Sequence, residues 1–312
     1  MDHEKRSLSP RPNIRGVRPD ELSEAFGCEP ELFPEKTSLL GALPPRASPQ
    51  IAIVGTRRSD PEAEDFIESL AAELAFAGAT IISGGALGID AAAHRGALMA
   101  RGATVAILAS GLGRPYPRQN KPLFDEIARS GGALLSAYAA KAPPTKFRFH
   151  ARNRLIAGVS DAVIVAQAPR RSGALSTAES ARRLGKPLYI VPSAPWDPLA
   201  EGSLRLLERG AKICIKAADV LSLAQKLPTN AADNGGGGRE KTLENQALDD
   251  LHRAVLGALS RRPVHIDELG RTLGLPIEDV QYALFGLILM GLAEERHHGV
   301  YLLARRAPPS YR

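Results

Sequence analysis

Residues 146 to 160 read KFRFHARNRLIAGVS. Lys146, Arg148, His150, Arg152 and Arg154 place five charged or protonatable nitrogen groups within nine residues, interleaved with Phe147 and Phe149. The apolar Leu155-Ile156-Ala157 follows at once. Guanidinium and ammonium groups hold phosphate, and an aromatic ring offers a face on which a nucleobase stacks. Cations and rings pressed against a core segment are therefore chemistry for an anion that carries bases. One ring is enough for a base, so the other phenylalanine is expected in the core.

Three glycine-rich turns add anion sites. In VGTRRS (54–59), Gly55 and Thr56 lead into Arg57; such a turn exposes backbone N–H groups, and the arginine supplies a two-pronged donor. In SGGALGID (83–90), Ser83, Gly84 and Gly85 form a second turn at a strand's carboxyl end, the edge where open α/β sheets bind ligands. In RRSGALSTAES (170–180), Ser172 and Gly173 open a helix beside Arg170 and Arg171. Asp90 and His94, four residues apart, have dyad spacing, but no nucleophile accompanies them, so they read as a capping carboxylate with a packed imidazole. Glu179 is the acid/base candidate if the chain were a hydrolase.

Other chemistries are absent. The first turn lacks GxGxxG, and the second strand ends in Ser83-Gly84-Gly85 rather than an acid, which excludes NAD and FAD. No GxxxxGK[ST] occurs, so no P-loop is present. Cys28 and Cys214 are the two cysteines, without metal-ligand spacing or a disulfide framework. No cofactor, metal or catalytic residue is assigned. The polar start and the lack of an apolar run of about 18 residues point to a cytoplasmic protein with no membrane contact.

These turns need a scaffold that brings them to one edge. From Ile51 to about residue 220, short apolar strands alternate with amphipathic helices: IAIVG, ATIISGG, TVAILAS, ALLSAY, DAVIVAQ and PLYIVPS. That alternation means α/β class, a Rossmann-like parallel sheet covered on both faces. Residues 1–50, rich in proline and charge, read as a short, partly disordered N-terminal extension. A Rossmann-like DNA-binding domain is expected over 51–225 and a glycine-rich linker over 226–247, with four consecutive glycines. Three helices and a two-stranded wing turning at His298-Gly299 make a small winged-helix domain over 248–304. Net charge is +6, and residues 51–220 hold 22 basic against 15 acidic side chains. The excess is sharpest over 101–154, with 10 against 2, as a surface meeting a polyanion requires.

IAIVGTRRS, SGGALGIDAAAHRGAL, FRFHARNRLIAGVSDAVIVAQAPRRSGALSTAESA and PLAEGSLRLLERGA resemble, in order and spacing, the DNA-processing protein A (DprA/Smf) family. The tail resembles that family's C-terminal winged helix. The resemblance implies a homodimer that binds single-stranded DNA without hydrolysing it and loads a RecA-type recombinase during natural transformation. It carries strand binding onto Arg57, Lys146, Phe149, the triplet Arg152, Asn153 and Arg154, and the loop Arg171, Ser172 and Gly173. Leu87 stands where the family commonly has a basic residue, Ala174 where it prefers serine, and its N-terminal helical domain is reduced or missing.

Two further readings follow. The expected recognition helix, IEDVQYALFGLILM, has no lysine or arginine and begins with Glu278-Asp279; it suits protein contact or dimer support better than a DNA groove. A nucleotide-processing enzyme of the nucleoside-monophosphate phosphoribohydrolase type shares a related core, but it uses a PGGxGTxxE loop. Here Ser180 stands three residues after Thr177, with Glu179 one place off.

Overall fold

A computed structural model describes residues 13–44, 48–224, 250–260, 262–297 and 299–303. It forms two compact units, residues 1–228 and 229–312. In the first, β1 (Arg15–Val17), α1 (Pro19–Phe26) and β2 (Thr37–Gly41) precede the alternating core. The core runs β3 (Gln50–Val54), α2 (Pro61–Phe76), β4 (Thr80–Ser83), α3 (Ile89–Met99), β5 (Thr104–Ile107), α4 (Lys121–Arg129), β6 (Ala133–Ser136) and α5 (Lys146–Val159). It continues with β7 (Ala162–Val165), α6 (Ala174–Arg183), β8 (Leu188–Ile190), α7 (Glu201–Leu204), β9 (Lys212–Ile213) and α8 (Ala217–Ala224).

The sheet order is β1-β2-β6-β5-β4-β3-β7-β8-β9. Every pairing from β6 to β9 is parallel, while β1 and β2 add an antiparallel margin. Successive strands step outward from β3 to β6; the chain then returns through α5 and lays β7 on the other side of β3. The reversal opens a crevice beyond the carboxyl ends of β3 and β7, where doubly wound sheets bind ligands. Strands β3, β4, β5, β6 and β7 are buried at every position, which is why they read as unbroken apolar runs.

The expected separate extension over residues 1–50 is corrected. Its described part is built into the sheet, with Leu39 opposite Leu135 and Leu40 opposite Leu134. Val17, Leu22, Phe26, Phe33 and Leu39 join the same core as Ile156 and Val163. Burying each large side chain contributes about 1.5–3 kcal/mol, enough to offset ordering its backbone at about 1–2 kcal/mol per residue. The proline-rich composition hid these few anchors. Pro19 itself sits at the first helical position, where its missing N–H is harmless, and Gly27 closes α1 with φ 62°. Residues 1–12 and the glycine-rich linker lie outside the described residues.

Helix α5 begins at Lys146, six residues before the expected RNRLIAGVS helix, because Thr145 caps it by accepting the Arg148 N–H. The added turn and a half decides the site, since it brings Lys146, Phe149 and Asn153 onto one helical face.

The second unit holds α9 (Asp250–Ala258), β10 (Val264–His265), α10 (Ile266–Leu273), α11 (Ile277–Leu289), β11 (Ala293–His297) and β12 (Val300–Leu303). Its sheet order is β10-β12-β11, and Val255, Leu269, Val280, Leu284 and Leu287 fill its core. Gly299 turns the wing with φ 75°, while His298 lies outside the described residues. Glu278 and Gln281 are exposed on α11.

Candidate nucleic-acid interface

At the crevice the turn after β3, the turn before α6 and the first half of α5 surround a cleft of about 770 Å³. Arg57, Arg58, Lys146, Phe149 and Arg171 line it. Arg57, Lys146 and Arg171 are exposed, and the one carboxylate lining the same cleft is the buried Asp90, on which Arg57 acts at a distance. Three segments more than ten residues apart in sequence thus place three exposed cations around one opening.

Around Phe149 the arrangement differs from expectation. The Arg57 guanidinium lies over its ring at 4.5 Å from the centroid, and that of Arg152 lies 5.6 Å away. Tyr116 meets the ring edge-on at 6.2 Å. Phe149 is therefore a platform for guanidinium groups, which holds Arg57 in place through the attraction of a cation for the ring face. Tyr116, contributed by the segment between β5 and α4, was not singled out from the sequence. Its signal was available in GRPYPRQN, an aromatic residue flanked by Arg114 and Arg118. Phe147, expected in the core, is 79% exposed instead, because the early start of α5 turns it away from the sheet.

The triplet Arg152-Asn153-Arg154 separates into three roles. Arg152 is buried; its Nη1 donates to the carbonyl oxygens of Gly84 and, at 2.8 Å, Ile107. It lines the cleft and at the same time braces the turn after β4 from inside. Burial lowers its pKa to about 10, with Asp90 opposing that shift. Asn153 donates through Nδ2 to the Gly173 carbonyl at 3.1 Å and to Ser176 Oγ at 2.7 Å, fastening α5 to the turn before α6. Arg154 is exposed but does not line the cleft, since it falls on the same side of the helix as Phe147.

The turn at 83–85 is directed inward, unlike the anion site expected of it. Ser83 is buried and donates to the Ile53 carbonyl at 2.6 Å. The N–H groups of Gly84 and Ala86 go to Asp90 Oδ2 at 3.2 and 3.3 Å. The Gly85 carbonyl accepts from Asn120 at 3.0 Å. A Cβ on Gly84 would lie 1.9 Å from Arg152 Nη1, so the glycine is there to admit the arginine. These donors face the interior and are engaged within the protein.

The turn after β3 is intermediate. Gly55 leaves room for Ile89, which a Cβ would meet at 2.6 Å. Thr56 donates its N–H to the Gln167 carbonyl at 2.6 Å, and Arg58 donates its N–H to Thr56 Oγ1 at 3.3 Å. The backbone donors expected to cradle a phosphate are engaged here, and the Arg57 and Arg58 side chains face the cleft instead. Ser172 likewise donates its N–H to Pro169 O at 2.9 Å and accepts the Ala174 N–H on Oγ at 3.3 Å. With Gly173 it shapes the turn that carries Arg171.

The acid/base candidates are accounted for by the protein itself. Asp90 is raised by burial, against the pull of Arg152. His94 is buried, and its Nδ1 lies 2.7 Å from Thr104 Oγ1. Thr104 gives its own proton to the Ile81 carbonyl, so the imidazole donates. Burial, with Arg152 adding to it, lowers His94 to about 3. Asp90 and His94 do not bond each other and form no dyad. Glu179 pairs with Arg182 and Arg183 at 2.9 Å each, and their hydrogen bonds hold it down at about 2.

The fold and the site together define a Rossmann-like protein with a basic switch-point cleft and a C-terminal winged helix. The chain belongs to the DNA recombination-mediator protein A family, whose model matches residues 22–225. A DprA winged helix domain model matches residues 239–299. The chain is 33% identical to Protein Smf of Synechocystis, covering 82% of this chain and 71% of that one. It is 37% identical to a putative DNA processing protein DprA of Mycobacterium tuberculosis, covering 82% and 64%. The chain thus spans 64% of the mycobacterial relative's length. Among solved structures, DNA processing protein A of Helicobacter pylori, studied for its single-stranded DNA binding mode, superposes with a TM-score of 0.59. The identity is 32%, over 69% of this chain and 96% of that one. The Streptococcus pneumoniae protein gives 0.58 at 32% identity, over 68% and 74%.

Proposed function

We propose that the switch-point cleft binds single-stranded DNA and that the protein delivers the covered strand to a RecA-type recombinase in natural transformation, without catalysis. The observation that carries this reading is the convergence of the exposed Arg57, Lys146 and Arg171 on one opening, where the one lining carboxylate, Asp90, is buried beneath them. Consecutive phosphates of an unpaired strand fit three cations held by separate turns, and family membership points the same way. The phosphoribohydrolase alternative lacks support, since Glu179 is locked to two arginines and does not line the cleft.

A cytoplasmic homodimer belongs to the same proposal. Exposed Ile213 and Ile215, at the outermost strand β9, offer a self-complementary edge. No helix among the described residues is long and apolar enough to cross a membrane. The winged helix serves protein contact or dimer support, because the exposed side of α11 presents Glu278 and Gln281 and no cation.

Fluorescence anisotropy with a labelled dT oligonucleotide at several salt concentrations is the test. Binding should weaken with a log–log slope of about −0.7 per phosphate contacted, hence roughly −2 for three. The triple variant Arg57→Ala, Lys146→Ala, Arg171→Ala should lose most of that slope. Unchanged affinity in that variant would place the binding surface elsewhere. Free adenine released from AMP by the purified protein would favour the enzyme.

A further inference from the structure

The cleft takes up only part of the positive charge of residues 101–154. Lys146 and Arg152 line it, whereas Arg114, Arg118 and Lys141 are exposed and do not. None of these three side chains makes an ion pair or a hydrogen bond among the described residues.

The fold sets where they stand. Arg114 and Arg118 lie in the segment that leaves the carboxyl end of β5, and Lys141 in the one that leaves β6. Both segments are therefore on the sheet edge that holds the cleft, on the side away from β7. Each also reaches the cleft. Tyr116, between the two arginines, lines it and meets Phe149, and Pro144 and Thr145, just after Lys141, line it as well. The two segments pack together. The Gly111 N–H donates to the Ala142 carbonyl at 3.0 Å, and a Cβ on Gly113 would lie 3.0 Å from the Ala140 carbonyl oxygen. Arg114 and Lys141 each follow directly on that last contact.

Both segments are anchored. Asn120 is buried, and its Nδ2 donates to the Gly85 and Ala86 carbonyls at 3.0 Å each, which ties the Tyr116 segment to a turn bordering the cleft. Tyr138 donates its hydroxyl to the Arg148 carbonyl at 3.1 Å; the Arg148 guanidinium lies 5.0 Å from the Tyr138 ring centroid and donates to the Pro143 carbonyl. Cations on anchored loops are organised before an anion arrives. The opposite flank differs in sign. Residues 108–120 and 137–145 hold three cations and no carboxylate, whereas residues 191–200, after β8, hold Asp197 and no lysine or arginine. The basic flank also has an end: ahead of β2, which pairs with β6, Glu35 stands beside Lys36 and the charges cancel.

We infer that a bound single strand leaves the cleft on one flank only, past Tyr116 and along Arg114, Arg118 and Lys141, which take its further phosphates. The inference rests on the single-strand reading above. From β3 to β6 is three strand spacings, roughly 14 Å, which about four nucleotides span at the 3.4 Å repeat of a stacked strand.

The test uses the full-length protein with labelled dT4 and dT15, followed by anisotropy at several salt concentrations. The wild-type log–log slope should be about −2 for dT4, which carries phosphates for the cleft cations alone, and about −4 for dT15. The triple variant Arg114→Gln, Arg118→Gln, Lys141→Gln should bring the dT15 slope back to about −2. It should weaken dT15 binding roughly ten- to a hundredfold at 0.1 M salt, while leaving dT4 within about twofold. If the wild type binds dT15 with a slope of about −2 that the variant shares, the path is wrong and the cleft reading stands. Equal losses on dT4 and dT15 would make the three cations a general field around the cleft and also overturn the path. Loss of recombinase delivery with dT15 affinity and slope intact would make this flank a protein contact, again against the inference. Failure of the wild-type chain to bind dT15 removes both readings together.

Discussion

Two glycine-rich turns close adjacent parallel strands, and they do opposite work. The turn after β4 is internal. Asp90 takes the N–H groups of Gly84 and Ala86, and Arg152 donates to the Gly84 carbonyl. The turn after β3 engages its backbone with Gln167 but sends Arg57 out over Phe149 to the cleft. In sequence each is a strand, a glycine and a helix start. The difference is the neighbour: β4 lies between β5 and β3, whereas β3 borders the crevice where the strand order reverses. Glycine marks both places because a protein side chain must come close, Ile89 at Gly55 and Arg152 at Gly84.

The comparison can be broken most sharply at Arg152. Arg152→Met leaves two buried carbonyls and Asp90 without their cation and should cost about 3–5 kcal/mol of folding stability in urea unfolding. Arg57→Met should change stability by no more than about 0.5 kcal/mol while reducing single-strand affinity. Equal stability losses from the two would erase the distinction between brace and contact.

The interior turn should also be the pH-sensitive one. His94 has a folded value near 3, below its ordinary 6.5, so the unfolded chain binds the extra proton between those values. Its contribution is present above pH 6.5 and is lost as the pH falls toward 3, at up to about 1.4 kcal/mol per pH unit. Asp90, raised by burial, works in the opposite sense and partly offsets this. Comparing acid unfolding of the wild type with His94→Gln should show a flatter profile in the variant; parallel profiles would mean that His94 is hydrated.

At the exposed turn the effects are smaller. Phe149→Leu removes the platform under Arg57 and should weaken single-strand binding about two- to fivefold with little change in salt slope. Arg57→Ala should reduce the slope by about 0.7. A slope change in the leucine variant would instead show that the ring controls how many phosphates are touched. Glu179→Gln should leave both the unfolding midpoint and DNA affinity where they are; altered binding would bring α6 into the interface.

The chain's own order of residues determined the parallel α/β core, the winged helix and the positions at which cations meet the carboxyl edge. Those features are local: apolar runs, helical spacing and turn residues are written in consecutive positions. The same local view separated Arg57, Lys146 and Arg171 from the acidic stretches around them. Tertiary structure alone decided which polar groups remained for a ligand. Arg152 and Arg154 are two residues apart and chemically identical, yet one is sealed under Gly84 while the other faces solvent. Phe147 and Phe149 divide the other way, the first open and the second covered by guanidinium. Residues 15–41 joined the sheet because β6 offered an unpaired edge, and a short stretch of proline and charge gives no sign of an edge distant in sequence. Burial and hydrogen-bond engagement depend on partners 30 to 110 positions away, as Ser83 with Ile53 and Asp60 with Gln167 illustrate, and no window of neighbouring residues contains them.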